Sequence, residues 1–379
     1  MILDYETLKL VWWVLVGALL IGFAITDGMD MGVGNLLPVI GRTDAERRVM
    51  INTVGPHWDG NQVWLITAGG AIFAAWPMVY AAAFSGFYFA MLLVLFALFF
   101  RPVGFDYRSK FESTRWRSMW DWGLFIGGFV PSLVFGVAFG NLLQGVPFHL
   151  DEFMRPYYTG SFWALLNPFA LLCGLVSVAM LTMHGAIWLQ MRTSGELAER
   201  SATWVRYTGL ATIALFALAG IWLAFGIDGY RITAQPPLDS MPNPVAKTVE
   251  LAAGAWFDNY RAHPFTLVFP LLGFVGAWLT ITLSKAGRPG LGYLTSALTL
   301  VGIIMTAGAA MFPFIMPSSS NPASSLTVWD ATSSPLTLTV MFWAVVIFLP
   351  IVIAYTLWNY HKMWGKVTVE EIQERFSAY

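Results

Sequence analysis

The residues best suited to chemistry lie in one short segment, His57–Trp64, with the sequence HWDGNQVW. It combines a histidine, a carboxylate, two amides and two tryptophans at the head of an apolar run that continues through Trp76. A carboxylate in partly dry surroundings can take up and release protons near neutral pH. Asp59 is therefore a candidate proton-transfer residue. The alternative is that Asp59 is an N-terminal cap of the helix that begins here.

Two further carboxylates lie at the end of the first apolar run, in the segment Asp27–Gly34 (DGMDMGVG). Asp27 and Asp30 are three residues apart, so they share one face of a helix. Acidic side chains inside a membrane predict an ion or proton site. The alternative is a structural pair held by an arginine or by a helix end, and Arg101 is a candidate partner.

A fourth carboxylate, Asp106, follows the third apolar run in the segment Arg101–Arg108 (RPVGFDYR). It either belongs to the same acidic group or is a loop carboxylate paired with Arg101 or Arg108. We interpret His57 as a helix-start or interface residue. The sequence contains no C-x-x-C-H haem attachment motif, no P-loop and no histidine cluster with metal-ligand spacing, so it predicts no cofactor or metal site in this chain.

The composition indicates the class of protein that must position these groups. The 379 residues are 57% hydrophobic and 11% charged, whereas soluble domains carry roughly 25% charged residues. A polytopic membrane protein fits these values. The net charge of −1 gives no basic surface for nucleic acid. The single cysteine, Cys173, can form neither an intrachain disulfide nor a thiolate metal cluster.

Nine apolar runs are long enough to span a bilayer, which takes about 20 residues. Their approximate limits are 8–37, 57–76, 78–100, 122–144, 161–191, 204–226, 264–284, 291–316 and 336–360. The second run is the most polar, in its first third. A short internal match, between 67–73 and 306–312, favours two four-helix bundles with one peripheral helix. The pattern predicts an all-α integral membrane protein with a single polytopic domain, a first bundle at about 8–144 and a second part at about 161–360.

The distribution of basic residues predicts the orientation. With the N-terminus outside, sixteen of the 21 Lys and Arg fall on the inner side, including Arg375 in a cytoplasmic tail at 361–379. The five outside are Lys9, Arg155, Arg231, Lys247 and Arg261. This positive-inside bias agrees with an odd number of spans and a cytoplasmic C-terminus. It also places the carboxylates of the first three spans at one level on the inner side, as proton uptake from that compartment would require.

Five segments together resemble subunit II of the bacterial cytochrome bd quinol oxidase. They are the Trp12-Trp13 opening, DGMDMGVG at 27–34, HWDGNQVW at 57–64, FFRPVGFDYR at 99–108 and WDATSS at 329–334. The resemblance covers essentially the whole chain, including its length and nine-span layout. The loops at 145–160 and 231–262 contribute least to it.

The resemblance implies a non-haem subunit of an enzyme that oxidises quinol and reduces O2 to water in the respiratory chain of the bacterial cytoplasmic (inner) membrane. A haem-bearing subunit I of similar fold would carry two b-type haems and one d-type haem, and the substrate would be ubiquinol or menaquinol. Turnover would build a proton gradient without pumping. A small single-span accessory subunit and, in some members, a structural quinone in this subunit are also implied. This chain by itself is not expected to be catalytic.

The resemblance also assigns a cytoplasmic proton path, along the interface of the two large subunits, to Asp59, Asp106 and Trp64. Asp59 ranks first and Asp106 second. Trp64 would be a wall or positioning residue, since indole has no proton to relay at neutral pH. The supporting polar groups are Asp27, Asp30, Arg101 and His57.

Two other functions compete with this one. An ion-coupled secondary transporter would use Asp27, Asp30 and Asp59 as an ion site, but transporter sites lie near the bilayer midplane, and these carboxylates are expected toward one side. An assembly scaffold would need no functional protonation at all.

Overall fold

The structure is a computed structural model that describes residues 3–374. The α-helices are α1 (Tyr5–Ile40), α2 (Asp44–Val54), α3 (Trp58–Ala75), α4 (Pro77–Gly86), α5 (Tyr88–Leu98), α6 (Phe100–Tyr107), α7 (Thr114–Gln144), α8 (Phe162–Leu165), α9 (Pro168–Arg192), α10 (Gly195–Gly226), α11 (Asp258–Ala262), α12 (Val268–Lys285), α13 (Pro289–Met311), α14 (Pro335–Lys362) and α15 (Val369–Glu374). The strands are β1 (Phe148–Leu150), β2 (Pro156–Tyr158), β3 (Asp228–Ala234), β4 (Thr248–Ala253), β5 (Phe314–Met316) and β6 (Leu326–Thr327). The end of the predicted tail, 375–379 with Arg375, lies outside the described residues.

Within residues 3–374, eight helical segments are long and apolar enough to cross a membrane. They are Tyr5–Ile40, Tyr88–Lys110, Thr114–Gln144, Pro168–Arg192, Gly195–Gly226, Pro264–Lys285, Pro289–Met311 and Pro335–Lys362. The predicted second span is a helix, α3, but it is not among these eight. Its first third carries Asp59, Asn61 and Gln62, which lower the mean hydropathy of the whole helix.

Several predicted boundaries differ from the observed ones. The eighth apolar run was predicted to continue through residue 316, but α13 ends at Met311 and Phe314–Met316 is a strand. The cause is Pro313, because a proline disfavours helical backbone at the residue before it. The fifth run is divided in the same way: α8 ends at Leu165, and Asn167 caps α9 by accepting from the backbone N–H of Ala170.

Three two-stranded antiparallel sheets, β1–β2, β3–β4 and β5–β6, lie in the connections between long helices. The all-α prediction holds for the long segments and misses these sheets. The 227–263 connection is fixed to the helices by Lys9 of α1, whose Nζ donates to the carbonyls of Leu238, Ser240 and Trp329 at 2.7–3.0 Å. Lys247 in the same connection binds Asp330 at 2.9 Å. Burial lowers the pKa of Lys247, and Asp330 offsets part of that shift.

The long helices pack closely wherever glycine removes the side chain from a crossing. Helix α1 contacts α3, α7 and α9, while α9 also contacts α10 and α13. At the α1–α9 crossing, Gly32 and Gly185 lie so close that a Cβ on either would overlap backbone atoms of the other helix. Such contacts allow association without a hydrophobic driving force from lipid. Helix α14 lies at the edge of this assembly and is mostly exposed on this chain.

This packing predicts that Gly185→Ala destabilises the protein. The added methyl group overlaps the backbone at Gly32, and overpacking of this kind costs about 1–3 kcal/mol. We expect a lower melting temperature for the purified protein in detergent. The matched control is Gly69→Ala in α3, where a Cβ would meet no atom within 4 Å. Equal melting temperatures for the two variants would contradict the close crossing.

Candidate functional site

The polar centre of the molecule is a buried ion pair between α6 and α1. Arg101 donates from Nη1 to Asp27 Oδ2 at 2.8 Å and from Nη2 to Asp27 Oδ1 at 2.5 Å. Both side chains are at most 3% exposed. The planar guanidinium matches the two carboxylate oxygens in this bidentate arrangement, which fixes the orientation of both groups. Asp27 is therefore the structural partner of Arg101.

Asp30 joins the same cluster through a different partner. Arg101 Nη2 lies 3.6 Å from Asp30 Oδ2, and Asn61 of α3 donates to that oxygen at 2.9 Å. Tyr360 of α14 donates in turn to Asn61 Oδ1 at 2.7 Å. The chain Tyr360–Asn61–Asp30 thus connects three helices through side chains that are distant in sequence.

His57 and Trp58 close the cluster. His57 is the N-cap residue of α3, but its side chain makes no capping hydrogen bond. Its ring is 2% exposed and stacks on Tyr360, with centroids 4.4 Å apart and planes at 11°. The ring of Trp58 lies 5.9 Å from the guanidinium carbon of Arg101 and stacks on Phe105. Aromatic rings therefore cover the ion pair, and a cation over an aromatic face is favourable.

Asp59 and Asp106 have a different environment. Both are exposed on the surface of this chain, on α3 and α6. Among the described residues neither forms an ion pair. Asp59 is not the N-cap of α3, because His57 holds that position. Asp106 is not paired with Arg101 or Arg108, because these arginines pair with Asp27 and Asp121. Helix geometry separates Asp59 from Asn61, since two residues correspond to about 200° of rotation.

Trp64 lies on the face of α3 that is turned toward α1. It is partly buried, and a Cβ on Gly22 of α1 would lie 2.8 Å from Trp64 Cε3. The indole therefore fills the space that Gly22 leaves open. The resemblance assigned Asp59, Asp106 and Trp64 to a proton path and four other residues to its support. The structure leaves Asp59 and Asp106 exposed, whereas the four supporting residues, Asp27, Asp30, Arg101 and His57, form a buried cluster.

A second ion-pair network lies at the predicted inner end. Arg108 is bound by Asp121 at 2.6 Å and by Asp44 at 2.8 Å, while Arg47 also binds Asp121, at 2.9 Å. Beside it, Glu46 of α2 pairs with Arg200. Burial raises the pKa of Glu46, but hydrogen bonds from Arg200 and from the backbone amides of Arg42 and Thr43 outweigh this and lower it.

Sequence reasoning missed Asn61 and Tyr360 of the buried cluster, and Asp121 of the second network. Asp121 had a usable signal, because it is a carboxylate at the head of a long apolar run, as Asp59 is. Asn61 was noted in the His57–Trp64 segment but was given no role. Tyr360 had no comparable signal, since it lies 299 residues from its partner.

The described part of the chain offers no metal site of three or more His, Cys, Asp or Glu. His184, buried in α9, uses both ring nitrogens within the chain: Nε2 lies 2.9 Å from the carbonyl of Ile25 and Nδ1 lies 2.6 Å from Ser296 Oγ. It has no free nitrogen to bind a haem iron.

A large apolar cavity of about 560 Å³ runs between the bundle helices. Its walls come from α1, α3, α7, α9, α10, α12 and α13, and include Phe23, Phe135, Phe216, Gly220 and Ile303. Pockets of about 300–1,000 Å³ with apolar walls are typical of ligand sites.

The sequence matches the family model described as "Cytochrome bd terminal oxidase subunit II" over residues 8–363. The chain is 60% identical to the Escherichia coli K12 "Cytochrome bd-I ubiquinol oxidase subunit 2" over 371 residues, which is 98% of each chain. It is 32% identical to the Bacillus subtilis "Cytochrome bd ubiquinol oxidase subunit 2", over 95% of this chain and 97% of the relative.

A solved structure of bd oxidase from Geobacillus thermodenitrificans has the same fold. The TM-score is 0.69 at 15% identity, covering 92% of this chain and 96% of that one. With the family match and the apolar helices, this similarity shows that the chain belongs to the cytochrome bd terminal oxidase subunit II family and is a multi-pass subunit of a quinol oxidase complex in the bacterial inner membrane.

Proposed function

We propose that this chain delivers protons from the cytoplasm to the oxidase and acts as a scaffold for the haem-bearing subunit I. The observation that carries the proposal is the contrast between two sets of carboxylates. Asp27 is bound by a guanidinium in the interior, whereas Asp59 and Asp106 are exposed and unpaired within the described chain. An exposed carboxylate on a membrane subunit can accept a proton from water and pass it across an interface.

In this proposal the chain crosses the membrane nine times, with the N-terminus outside and the C-terminus in the cytoplasm. Helix α3 is the additional span. Its 18 residues give about 27 Å of length, close to the roughly 30 Å hydrocarbon core. The helices form two four-helix bundles, α14 is peripheral, and the polar start of α3 faces the cytoplasm beside the basic loops. The family assignment does not favour the secondary transporter.

The redox groups belong to the partner in this proposal. Two b-type haems and one d-type haem are held by subunit I, which oxidises ubiquinol or menaquinol, and a small single-span subunit completes the complex. Both ring nitrogens of His184 are engaged within the chain, so this residue is not available as a haem ligand. Protons entering at Asp59 and Asp106 are consumed in forming water, so turnover is electrogenic without pumping. Trp64 positions α3 against α1.

We also propose that the apolar cavity holds a quinone in a structural role. Its volume and its apolar walls suit a polyprenyl chain, which would come from the bilayer and be held by close packing, since transfer from lipid to an apolar cavity brings no hydrophobic gain. Gly220 lies on the wall, and a Cβ there would meet no atom within 4 Å. A larger side chain at this position therefore enters the cavity without overlapping the helices.

Asp59→Asn in the assembled complex should slow O2 reduction about tenfold, a barrier increase of about 1.4 kcal/mol. The amide keeps the shape of the side chain but cannot exchange a proton. Asp106→Asn should have a smaller effect in the same direction. The measurement is quinol-driven O2 consumption with the haem spectrum recorded on the same sample.

Glu112→Gln is the matched control for Asp59→Asn, because Glu112 is also exposed and carries the same charge. Its turnover should equal that of the wild type. Unchanged turnover in Asp59→Asn would remove this residue from the path. Loss of haem together with turnover would favour the assembly-scaffold function.

Arg101→Met tests the supporting role of the buried ion pair. It leaves Asp27 buried without a counter-charge, which should reduce the free energy of unfolding of the complex by about 3–5 kcal/mol. Arg101→Met with Asp27→Asn removes both charges and should recover at least half of that loss. The measurement is the thermal unfolding of the purified complex. A double variant as unstable as the single one would show that the pairing does not determine stability.

Gly220→Phe should reduce the amount of quinone that co-purifies with the complex, because the ring occupies the cavity. The measurement is the quinone-to-haem ratio after solvent extraction. Gly17→Phe is the control, since Gly17 also has open space around it but does not line the cavity. An unchanged ratio in Gly220→Phe would place the bound quinone elsewhere in the complex.

A further inference from the structure

The buried cluster contains one negative charge too many if every group is ionised. Asp27, Asp30 and Arg101 have side chains that are at most 3% exposed. Two carboxylates therefore share a single guanidinium in the interior of the bundle. An uncompensated charge at such a position costs several kcal/mol, so groups of this kind usually become neutral.

The hydrogen bonds identify the carboxyl group that becomes neutral. Asp27 receives two short bonds from Arg101, at 2.8 and 2.5 Å, one on each oxygen. Asp30 is farther from the guanidinium, since its Oδ2 lies 3.6 Å from Arg101 Nη2. Its one close donor is the neutral amide of Asn61. Charge-assisted bidentate bonds favour the ionised form, so the ion pair forms with Asp27.

The second oxygen of Asp30 is buried and has no hydrogen-bond partner within the described chain. A cavity of about 10 Å³ is lined by Asp30 and Arg101 among apolar side chains of α1, α2, α6 and α7. That is about the space that one water molecule requires. A protonated Oδ1 donates one hydrogen bond, and a water in this cavity can accept it.

Neighbouring groups do not supply the missing positive charge. The titratable groups that face Asp30 or its hydrogen-bond partners are Asp27, His57, Arg101, His184, Tyr293 and Tyr360, and Arg101 is the one cation among them that acts on Asp30. The two tyrosines are neutral at physiological pH. His57 is buried and receives its one hydrogen bond from the amide of Asn359, at 3.4 Å, on Nδ1. Accepting a hydrogen bond at Nδ1 is a property of the neutral ring.

We propose that Asp30 is a buried proton-binding site, protonated at neutral pH and hydrogen-bonded through Oδ1 to a single water in the cavity beside Arg101. Asn61 and Tyr360 hold the other oxygen in place. The site stores one proton inside the bundle, on the opposite side of α3 from Asp59. It does not depend on the Asp59–Asp106 path, because its charge balance involves only the interior groups.

Infrared spectroscopy of the purified complex tests this proposal, because a protonated carboxyl group has a carbonyl band separate from that of a carboxylate. The wild type minus Asp30→Asn difference spectrum should contain one such band at neutral pH, equivalent to one carboxyl group per complex. Incorporation of aspartate labelled with 13C in the carboxyl group should shift this band. Asp59→Asn and Asp106→Asn should leave it unchanged, whatever they do to turnover.

Asp27→Asn should give a result that a purely structural role of Asp30 would not produce. With Asp27 neutral, Arg101 needs Asp30 as its counter-ion, so Asp30 should lose its proton and the band should disappear although Asp30 itself is intact. If Asp30→Asn fails to assemble, Tyr360→Phe should still shift the labelled band by altering the hydrogen bond of Asn61.

Three results would overturn the proposal. The first is the absence of a labelled carboxyl band in the wild type, which means that Asp30 is ionised. The second is a band that persists in Asp30→Asn, or that neither Asp27→Asn nor Tyr360→Phe changes. The third is a band that appears only after sodium and potassium are removed, which would make Asp30 a cation site instead.

Discussion

The bidentate bond between Arg101 and Asp27 is the interaction on which the buried polar centre of this molecule depends. It joins α6 to α1. The side chain of Arg101 packs against α7 at Gly127, where a Cβ would lie 2.8 Å from Arg101 Cγ. A guanidinium in a membrane bundle cannot be left without an anion, because the surrounding lipid and apolar side chains offer no solvation. The position of α6 is therefore fixed by charge as well as by packing.

The ion pair also determines the role of α3. Asn61 must face inward to bind Asp30, and this orientation turns Asp59 outward by the helical repeat. The polar start of α3 thus serves two surfaces at once, one in the bundle and one on the outside of the subunit. This double use explains why the helix is too polar to resemble a simple span. The last long helix is tied to the same point through Tyr360, although most of its surface makes no contact with the rest of the chain.

Much of the fold follows from the sequence, because apolar run length and turn residues are local signals. The bounds of α1, α12 and α14 were predicted to within four residues, whereas α7 and α10 begin eight and nine residues before their predicted starts. The Asp27–Arg101 contact was also predicted as one alternative, because Arg101 ends the third apolar run on the side of the membrane where Asp27 and Asp30 were expected. The short sheets were missed because each depends on pairing between strands of two to seven residues. The contact between Tyr360 and Asn61 joins helices 299 residues apart, and no local pattern encodes it.

The separation of the carboxylates has a consequence for the complex. A proton carrier must alternate between charged and neutral forms, and a residue fixed in a strong ion pair cannot do so cheaply. In this chain the arginines Arg101 and Arg108 each bind a structural carboxylate, Asp27 and Asp121. Asp59 is outside these pairs and exposed on this chain, and in the proposed function contact with subunit I would exclude water from it and shift its proton affinity. The proton-transfer property of Asp59 is therefore expected to arise on assembly, as a property of the interface that the two subunits form together.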